Sequence, residues 1–185
     1  SDISKWDTSH VMYMQSMFRN AAAFNSDISK WDVSAVNDMH YMFSAAESFN
    51  GDISKWDVSK VLSMSGMFYE ARSFDSDVSK WDVKNVFDMA SMFSDAKSFN
   101  SDVSKWELVN LARMDRMFFN AASFKQTLCG AAWVNSRATN SLAFAGTSAS
   151  ISRTVCRPAP TLATERAKRQ YVSRHPLPKR ELIVR

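Results

Sequence analysis

Apolar positions recur with a fixed period of 25 residues over the first 125 residues of the chain. One Trp, two Met and two Phe return at the same places, and nine of the 25 positions are identical throughout. We call the units repeat 1 (1–25), repeat 2 (26–50), repeat 3 (51–75), repeat 4 (76–100) and repeat 5 (101–125), with positions numbered as in repeat 1. A unit this short cannot bury so many large side chains alone, so we expect neighbouring repeats to stack around one core.

Two apolar patterns inside each repeat predict its local structure. In repeat 2, Ile28, Trp31 and Val33 have the spacing of the short strand in a leucine-rich repeat. The apolar residues that follow have the spacing of one helix face: Val36, Met39, Met42, Phe43 and Ala46. The sequence therefore predicts an α/β fold, a leucine-rich-repeat-like solenoid of five 25-residue strand–turn–helix units with a C-terminal cap.

The repeat pattern stops after residue 125, and the sequence predicts two further segments. Residues 126–156 carry scattered apolar side chains among Ala, Ser and Thr, and we expect them to form the cap over repeat 5. Residues 157–185 contain all four prolines and eight basic against two acidic residues. We expect a basic, disordered tail there. A tail docked on an acidic surface and a segment joined by an error of gene prediction are the alternatives.

Charge limits the kinds of partner that the repeats can bind. Residues 1–125 hold 13 basic and 17 acidic side chains, a net charge of −4. They lack the basic stripe with interleaved aromatic residues that nucleic-acid binding requires, so we expect no nucleic acid on the solenoid. No apolar run approaches the length of about 18 residues that a membrane span needs, so we expect no span.

The combination of F-N-x-D-[IV]-S-K-W-D-V-S with M-x-x-M-F in residues 1–125 resembles a known repeat family. It is similar to the BspA-like leucine-rich-repeat surface proteins, in the subgroup first catalogued as a mycoplasma surface domain. The resemblance implies a repeat solenoid that is displayed at a cell surface or secreted, with adhesion or protein recognition as its role. It implies no catalytic residue.

Cys129 and Cys156 are the only two cysteines, and they bracket most of the predicted cap. In a chain that resembles surface proteins, such a pair indicates a disulfide. Two free thiols are the alternative, whereas a structural zinc site would need further Cys or His ligands.

Catalytic and metal-binding chemistry finds little support in the sequence. His10, His40 and His175 fall at unrelated places, and no phosphate-binding loop or nucleophile motif occurs. The junctions between repeats, such as 50–52, offer oxygen atoms that could bind calcium, but Asn and Asp also shape turns by accepting backbone hydrogen bonds. We expect no catalytic residue, no cofactor and no metal.

The residues beside the buried Trp form the first candidate binding surface. On a strand, alternation would place them on the outer face. This Lys/Asp ladder comprises Lys5, Asp7, Lys30, Asp32, Lys55, Asp57, Lys80, Asp82, Lys105 and Glu107. Adjacent columns of opposite charge predict a mutually neutralising face, and a partner-binding ladder is the alternative.

Side chains that differ between repeats on the exposed side of the predicted helix form the second candidate surface. They are Tyr13, Arg19, Tyr41, Tyr69, Arg116 and Phe119. Such variation indicates either partner specificity or an absence of constraint, so both surfaces stay open as contact sites.

These features predict a non-enzymatic module for protein recognition or adhesion, extracellular or at a cell surface, that binds a protein or surface ligand as a monomer. A structural spacer within a larger surface protein and the non-catalytic part of a larger enzyme are the alternatives. Because Ser1 has the register of Ser26 with no cap ahead of it, we expect the chain to be a fragment.

Overall fold

A computed structural model describes residues 2–156 of the 185-residue chain. The expectations of a tail that is disordered, docked or wrongly joined concern residues 157–185 and lie outside the described residues. The chain divides into two units, Ser1–Val155 and Cys156–Arg185. The architecture given below is that of the first unit.

Regular secondary structure is confined, within residues 2–156, to three short elements that follow the repeats. They are strand β1 (Thr127–Leu128), helix α1 (Ala131–Val134) and strand β2 (Ser150–Ile151). Strands β1 and β2 pair in parallel. The described parts of repeats 1–5 contain no helix and nothing longer than isolated bridges. The predicted α/β solenoid of strand–turn–helix units is therefore wrong.

Each repeat is instead a succession of tight turns. In repeat 2, backbone N–H groups donate to carbonyls three residues earlier, from Trp31 to Ile28 at 3.1 Å, Val36 to Val33 at 2.9 Å and Met42 to Met39 at 3.1 Å. The first and last residues of such a turn face the core while the two between them face outward. An apolar spacing of three residues therefore reflects consecutive four-residue turns and not the 3.6-residue period of a helix.

Two positions in every repeat have left-handed backbone conformations that interrupt any helix. Position 16 has φ between 54° and 60° in all five repeats: Ser16, Tyr41, Gly66, Ser91 and Arg116. Position 20 has φ between 55° and 61°: Asn20, Ala45, Glu70, Asp95 and Asn120. Since a left-handed L-residue costs roughly 1–2 kcal/mol, contacts between repeats must stabilise these turns.

The repeats stack through a ladder of backbone hydrogen bonds. N–H groups at positions 14, 16, 18 and 20 donate to carbonyls of the next repeat at 2.7–3.0 Å, starting with Met14 to Asp38 and Asn20 to Ser44. Isolated parallel bridges join position 13 of successive repeats, from Tyr13 and Asp38 onward. The backbone groups that the turns leave unpaired within one repeat are thus satisfied by its neighbour.

The core consists of aromatic and methionine columns that run from repeat to repeat. Phe43 stacks on Phe49 within repeat 2, with ring centroids 4.0 Å apart, and on Phe68 of repeat 3 at 5.6 Å. Each buried indole donates its Nε1–H to a carbonyl of the preceding repeat, as Trp31 does to Ile3 at 3.0 Å. No buried side-chain nitrogen or oxygen among residues 2–156 lacks a hydrogen-bond partner.

Residues 126–155 form a sixth layer of the same stack. The Trp133 indole donates to the Val103 carbonyl at 2.9 Å, and the Phe144 ring lies 5.5 Å from that of Phe118. Leu142 and Gly146 take the positive φ angles of positions 16 and 20. The spacing from repeat 5 is 26 residues at these positions and 27 at the tryptophan, which hides the relation in the sequence.

Two further features of this region bear on the sequence predictions. Cys129 and Cys156 are both disulfide-bonded, as the sequence predicted. None of the helices in the described part of the chain combines the length and the hydropathy that crossing a membrane requires.

Candidate functional site

The lysines and acids of the Lys/Asp ladder are all exposed, but turns rather than a strand place them there. Lys30 is an outward residue of the turn between Ile28 and Trp31. Asp32 accepts a hydrogen bond from the Ser34 backbone N–H at 2.9 Å. The same contact over two residues recurs at Asp7, Asp57 and Asp82.

The acids of the Lys/Asp ladder are held by neighbouring serines or by Lys84 and not by the ladder lysines. Ser9, Ser34 and Ser59 bond three of them, and Lys84 Nζ lies 3.7 Å from Asp82 and 3.6 Å from Glu107. Among residues 2–156, no ion pair within 4.0 Å joins the ladder lysines to the ladder acids. Hydrogen bonds from Ser34, chiefly from its side chain and then from its backbone, lower the pKa of Asp32. Ser59 lowers the pKa of Asp57 in the same way. The acid column therefore shapes turns, and the expected pairing between the columns is absent from the described residues.

The oxygen-rich junctions between repeats are also engaged in backbone contacts. The Asn25 Oδ1 atom accepts from the Asn50 N–H at 2.9 Å, and Asn50 Oδ1 accepts from Asp75 N–H at 2.9 Å. A shallow cavity of about 390 Å³ lies beside Asp75, Asp77 and Asp102. No group of three His, Cys, Asp or Glu residues within 2–156 is arranged to hold a metal ion.

The six residues assigned to a helix face lie on turns, because repeats 1–5 have no helix in the described residues. Tyr13 and Arg116 are exposed and Phe119 is half-buried. The structure brings the other three, Arg19, Tyr41 and Tyr69, into one groove of about 310 Å³. We call it the tyrosine groove; its remaining lining residues are Asn20, Ser44, Ala45, Glu70 and Ser91.

The tyrosine groove crosses four repeats at positions 16, 19 and 20. The Arg19 guanidinium lies over the Tyr41 ring, 5.1 Å from the centroid, at a distance where a cation and an aromatic face attract. Gly66 leaves room for that ring, since a Cβ added to Gly66 would lie 2.2 Å from Tyr41 Cε1. Arg19, Tyr41 and Gly66 therefore form a packed column at one end of the groove.

The tyrosine groove holds opposite charges that are not paired with each other. Neither Arg19 nor Glu70 has an ion-pair partner within 4.0 Å among the described residues. A side-chain hydrogen bond to Glu70, followed by burial, raises the pKa of Tyr69. Tyr69 is therefore a neutral phenol at physiological pH, and its hydrogen bond leaves Glu70 without a cationic partner among the described residues.

Several polar or charged side chains near the tyrosine groove are paired within the chain instead. His40 Nδ1 lies 2.8 Å from Asp38, and Arg113 donates to Asp88 at 2.9 Å. Lys97 Nζ lies 2.7 Å from Asp95 Oδ1 and 3.0 Å from the Asn120 carbonyl. These contacts engage the side chains with neighbouring turns, which distinguishes them from Arg19 and Glu70.

Another cavity, of about 410 Å³, lies where repeat 5 meets the sixth layer. Leu108, Val109 and Leu111 line it from repeat 5, and Glu107 and Arg137 add charges. Val109 is 70% exposed. Repeat 5 has Leu-Val at positions 8 and 9, where repeats 2–4 have Val followed by Ser or Lys, and this departure makes part of its surface apolar.

Three residues of the tyrosine groove were predicted from the sequence: Arg19, Tyr41 and Tyr69. The others were not, because their place in the groove depends on the backbone conformation. Positions 16 and 20 adjoin the groove only because both have left-handed backbone conformations. Gly66, Asn20 and Asn120 are residue types that favour positive φ, and they were the available signal. The signal is weak because other repeats have residues at the same positions that do not favour positive φ, namely Tyr41, Ala45 and Glu70.

Comparison with known proteins matches this repeated pattern to one family. A family model described as "Mycoplasma protein of unknown function, DUF285" matches residues 1–86 and again residues 52–155. No curated protein and no solved structure matches the chain. Because the two matches together span residues 1–155 of 185, the chain belongs to the DUF285 family of mycoplasma-type repeat proteins.

Proposed function

We propose that the chain is a non-enzymatic recognition module, extracellular or at a cell surface, that binds a protein or surface ligand through the tyrosine groove. The observation that carries this proposal is the contrast between a repeated backbone and unlike side chains. Position 16 has nearly the same φ in every repeat while its residue is Ser, Tyr, Gly, Ser or Arg. Repeat proteins commonly use such a fixed frame to present an extended binding surface.

The tyrosine groove has the composition of a recognition site. It combines two tyrosines with a guanidinium, a carboxylate, an amide and two hydroxyl groups. Tyrosines supply contact area at a low entropic cost, and arginine supplies several hydrogen-bond donors. The unpaired charges of Arg19 and Glu70 would select a ligand that carries complementary groups.

Two observations support an extracellular or surface location. The disulfide-bonded cysteines favour an oxidising compartment, since cytosolic thiols are normally kept reduced. Membership in a mycoplasma-type repeat family is compatible with display at a surface. The finer resemblance to BspA-like surface proteins, whose usual proposed role is adhesion, agrees with the same proposal.

The polar contacts of the described histidines support a role without catalysis. Ser9 Oγ donates to Asp7 at 2.6 Å and lies 3.0 Å from His10 Nδ1. A nucleophilic serine needs the histidine between itself and the acid, and here the serine occupies that middle place. His40 contacts Asp38 and the Tyr41 ring edge, an arrangement that stabilises a turn.

The alternative function is a structural spacer within a larger surface protein. It is favoured by the Lys/Asp ladder, whose acids are engaged in turns. A spacer requires only the continuous stack and would make no use of Arg19 or Glu70.

Binding of the full chain to an immobilised panel of extracellular-matrix proteins and glycans separates the two functions. We expect saturable binding to a panel member, reduced at least about tenfold by the double variant Arg19→Gln/Glu70→Gln, which removes both groove charges. Arg116→Gln is the matched control, because Arg116 is exposed at position 16 outside the groove. Equal binding by the groove variant, or no saturable binding to any member, would support the spacer.

A further inference from the structure

The backbone of the tyrosine groove limits how a ligand can bind there. Eight residues line the groove, and each of them donates its backbone N–H to a carbonyl of this chain at 2.7–3.1 Å. Tyr41 donates to Ser65, for example, and Glu70 to Ser94. A peptide that binds as an added β-strand needs free backbone donors on the receiving edge, and the groove has none. The side chains of the groove must therefore provide the recognition.

The two charges of the tyrosine groove are attached to different layers of the stack. Arg19 belongs to repeat 1 and Glu70 to repeat 3, so two layer spacings separate their backbones. Parallel backbone segments lie about 4.8 Å apart, which gives a separation of roughly 10 Å along the stack. A free amino acid carries its two charges within one residue and is too short to reach both. A ligand that pairs with both must therefore be a longer chain that carries an acidic and a basic group.

Both charged side chains keep hydrogen-bonding capacity for such a ligand. The Arg19 guanidinium lies over the Tyr41 ring, and a stacked guanidinium can still bind a carboxylate through the N–H groups at its edge. A side-chain hydrogen bond joins Tyr69 to Glu70. Because a carboxylate offers about four acceptor sites, this bond leaves Glu70 able to accept from a cation.

The tyrosines favour a peptide over a neutral glycan. A sugar ring needs an open aromatic face, but Arg19 lies over one face of the Tyr41 ring and Gly66 packs closely against the same ring. A neutral glycan would also leave the charges of Arg19 and Glu70 without complementary groups. The tyrosines belong to repeats 2 and 3 and can contact the part of a peptide that lies between its two charged residues.

A polyproline II segment meets these conditions. It has three residues per turn and a rise of about 3.1 Å, so residues i and i+3 lie on the same side about 9 Å apart. In a β-strand, residues three apart point to opposite faces. A polyproline II segment also needs no backbone ladder and docks into grooves lined by aromatic side chains.

We propose that the tyrosine groove binds a polyproline II segment of a partner protein in which an acidic and a basic residue lie three positions apart. This proposal rests on the recognition function proposed above and names its ligand. The acidic residue pairs with Arg19, the basic residue pairs with Glu70, and the two prolines between them contact Tyr41 and Tyr69.

Fluorescence polarisation of dye-labelled peptides titrated with the full chain tests this ligand. Three peptides have the core E-P-P-K, E-P-P-E or K-P-P-K between alanines, and a fourth, E-G-G-K, carries the mixed charges on a flexible backbone. We expect E-P-P-K to bind at least about fivefold more tightly than each of the others. Peptides with like charges repel one of the two groove charges, and the glycines lose the preformed conformation.

Reversing one groove charge should switch the preferred peptide. Glu70→Lys presents two cations and is expected to prefer E-P-P-E, whereas Arg19→Glu presents two acids and is expected to prefer K-P-P-K. Glu107→Lys is the matched control, because it changes the net charge by the same amount on an exposed residue outside the groove. It should keep the preference of the original chain, and thermal melting checks that all three variants fold.

Equal binding of the four peptides by the original chain, or the same switch in Glu107→Lys as in Glu70→Lys, would overturn the proposal. Binding of none of the peptides would also overturn it. In that case, saturable binding to a member of the matrix and glycan panel, weakened by Arg19→Gln/Glu70→Gln, would leave the recognition function standing with another ligand. Absence of panel binding as well would remove both proposals.

Discussion

Repeat 1 and the inner repeats 2–4 share most of their residues but differ in what those residues contribute. Trp6 and Trp81 have the same neighbours in sequence, yet Trp6 is largely exposed and Trp81 is buried with its indole N–H bonded to Ile53 at 3.1 Å. The difference shows that the stabilising contacts lie mainly between layers and not within a single repeat. A residue's importance therefore depends on whether a layer covers it.

Truncation of the two tryptophans should give the largest contrast. We expect Trp81→Ala to lower the free energy of unfolding by about 3–5 kcal/mol, because it leaves a cavity and removes the donor to Ile53. Trp6→Ala should cost about 1 kcal/mol or less, since it loses mainly the stacking on Trp31 at 6.2 Å. Urea unfolding measures both values, and equal costs would contradict the contrast between outer and inner layers.

Substitution of Gly66 tests a contact between layers at position 16. We expect Gly66→Ala to cost about 1–3 kcal/mol, because the new methyl would meet the Tyr41 ring and the backbone has φ of 60°. Ser91→Ala is the matched control at the same position with φ of 55°, and it should change stability by less than about 0.5 kcal/mol. Thermal melting of both variants provides the measurement; a cost for Gly66→Ala no larger than that of the control would refute the close packing.

The aspartates at position 7 should behave alike in both regions, because their contacts are local. Hydrogen bonds from Ser9 lower the pKa of Asp7, and those from Ser59 lower the pKa of Asp57. A lowered folded-state pKa stabilises the protein above the unfolded-state pKa of about 3.9, and this stabilisation is lost as the pH falls through the folded-state value.

We therefore expect Asp7→Asn and Asp57→Asn each to reduce slightly, and to a similar extent, the loss of melting temperature between pH 6 and pH 2.5. Asn keeps a hydrogen-bond acceptor but does not titrate in this range. A larger effect at Asp57 than at Asp7 would show that the layers influence these turns after all.

Much of the core could be predicted from the sequence, because the period fixes which residues align. The Trp, Met and Phe columns and the exposed lysines lie where the pattern places them. The prediction of a helix in each repeat was wrong because apolar residues three apart fit both a helix face and successive turns. The left-handed residues that interrupt a helix include Tyr41, Ala45 and Glu70, and these residue types do not favour positive φ.

The tyrosine groove and the sixth layer depended on information that the sequence pattern did not contain. Residues 19, 41 and 69 converge only through the turn geometry of three successive repeats. Trp133 and Phe144 align with repeat 5 only after a change in spacing that breaks the 25-residue period. Both features follow from backbone conformation, which the sequence pattern alone left undetermined.

The central claim is that each repeat is a layer of turns bonded to the next layer, and the N–H of Phe68 tests it most directly. Its acceptor in the structure is the carbonyl of Met92 in repeat 4, at 2.9 Å. An NMR experiment that detects scalar coupling across hydrogen bonds identifies the acceptor of each amide. The account predicts a coupling from the Phe68 nitrogen to the Met92 carbonyl carbon. A coupling to the Met64 carbonyl carbon, four residues earlier as in a helix, would contradict it.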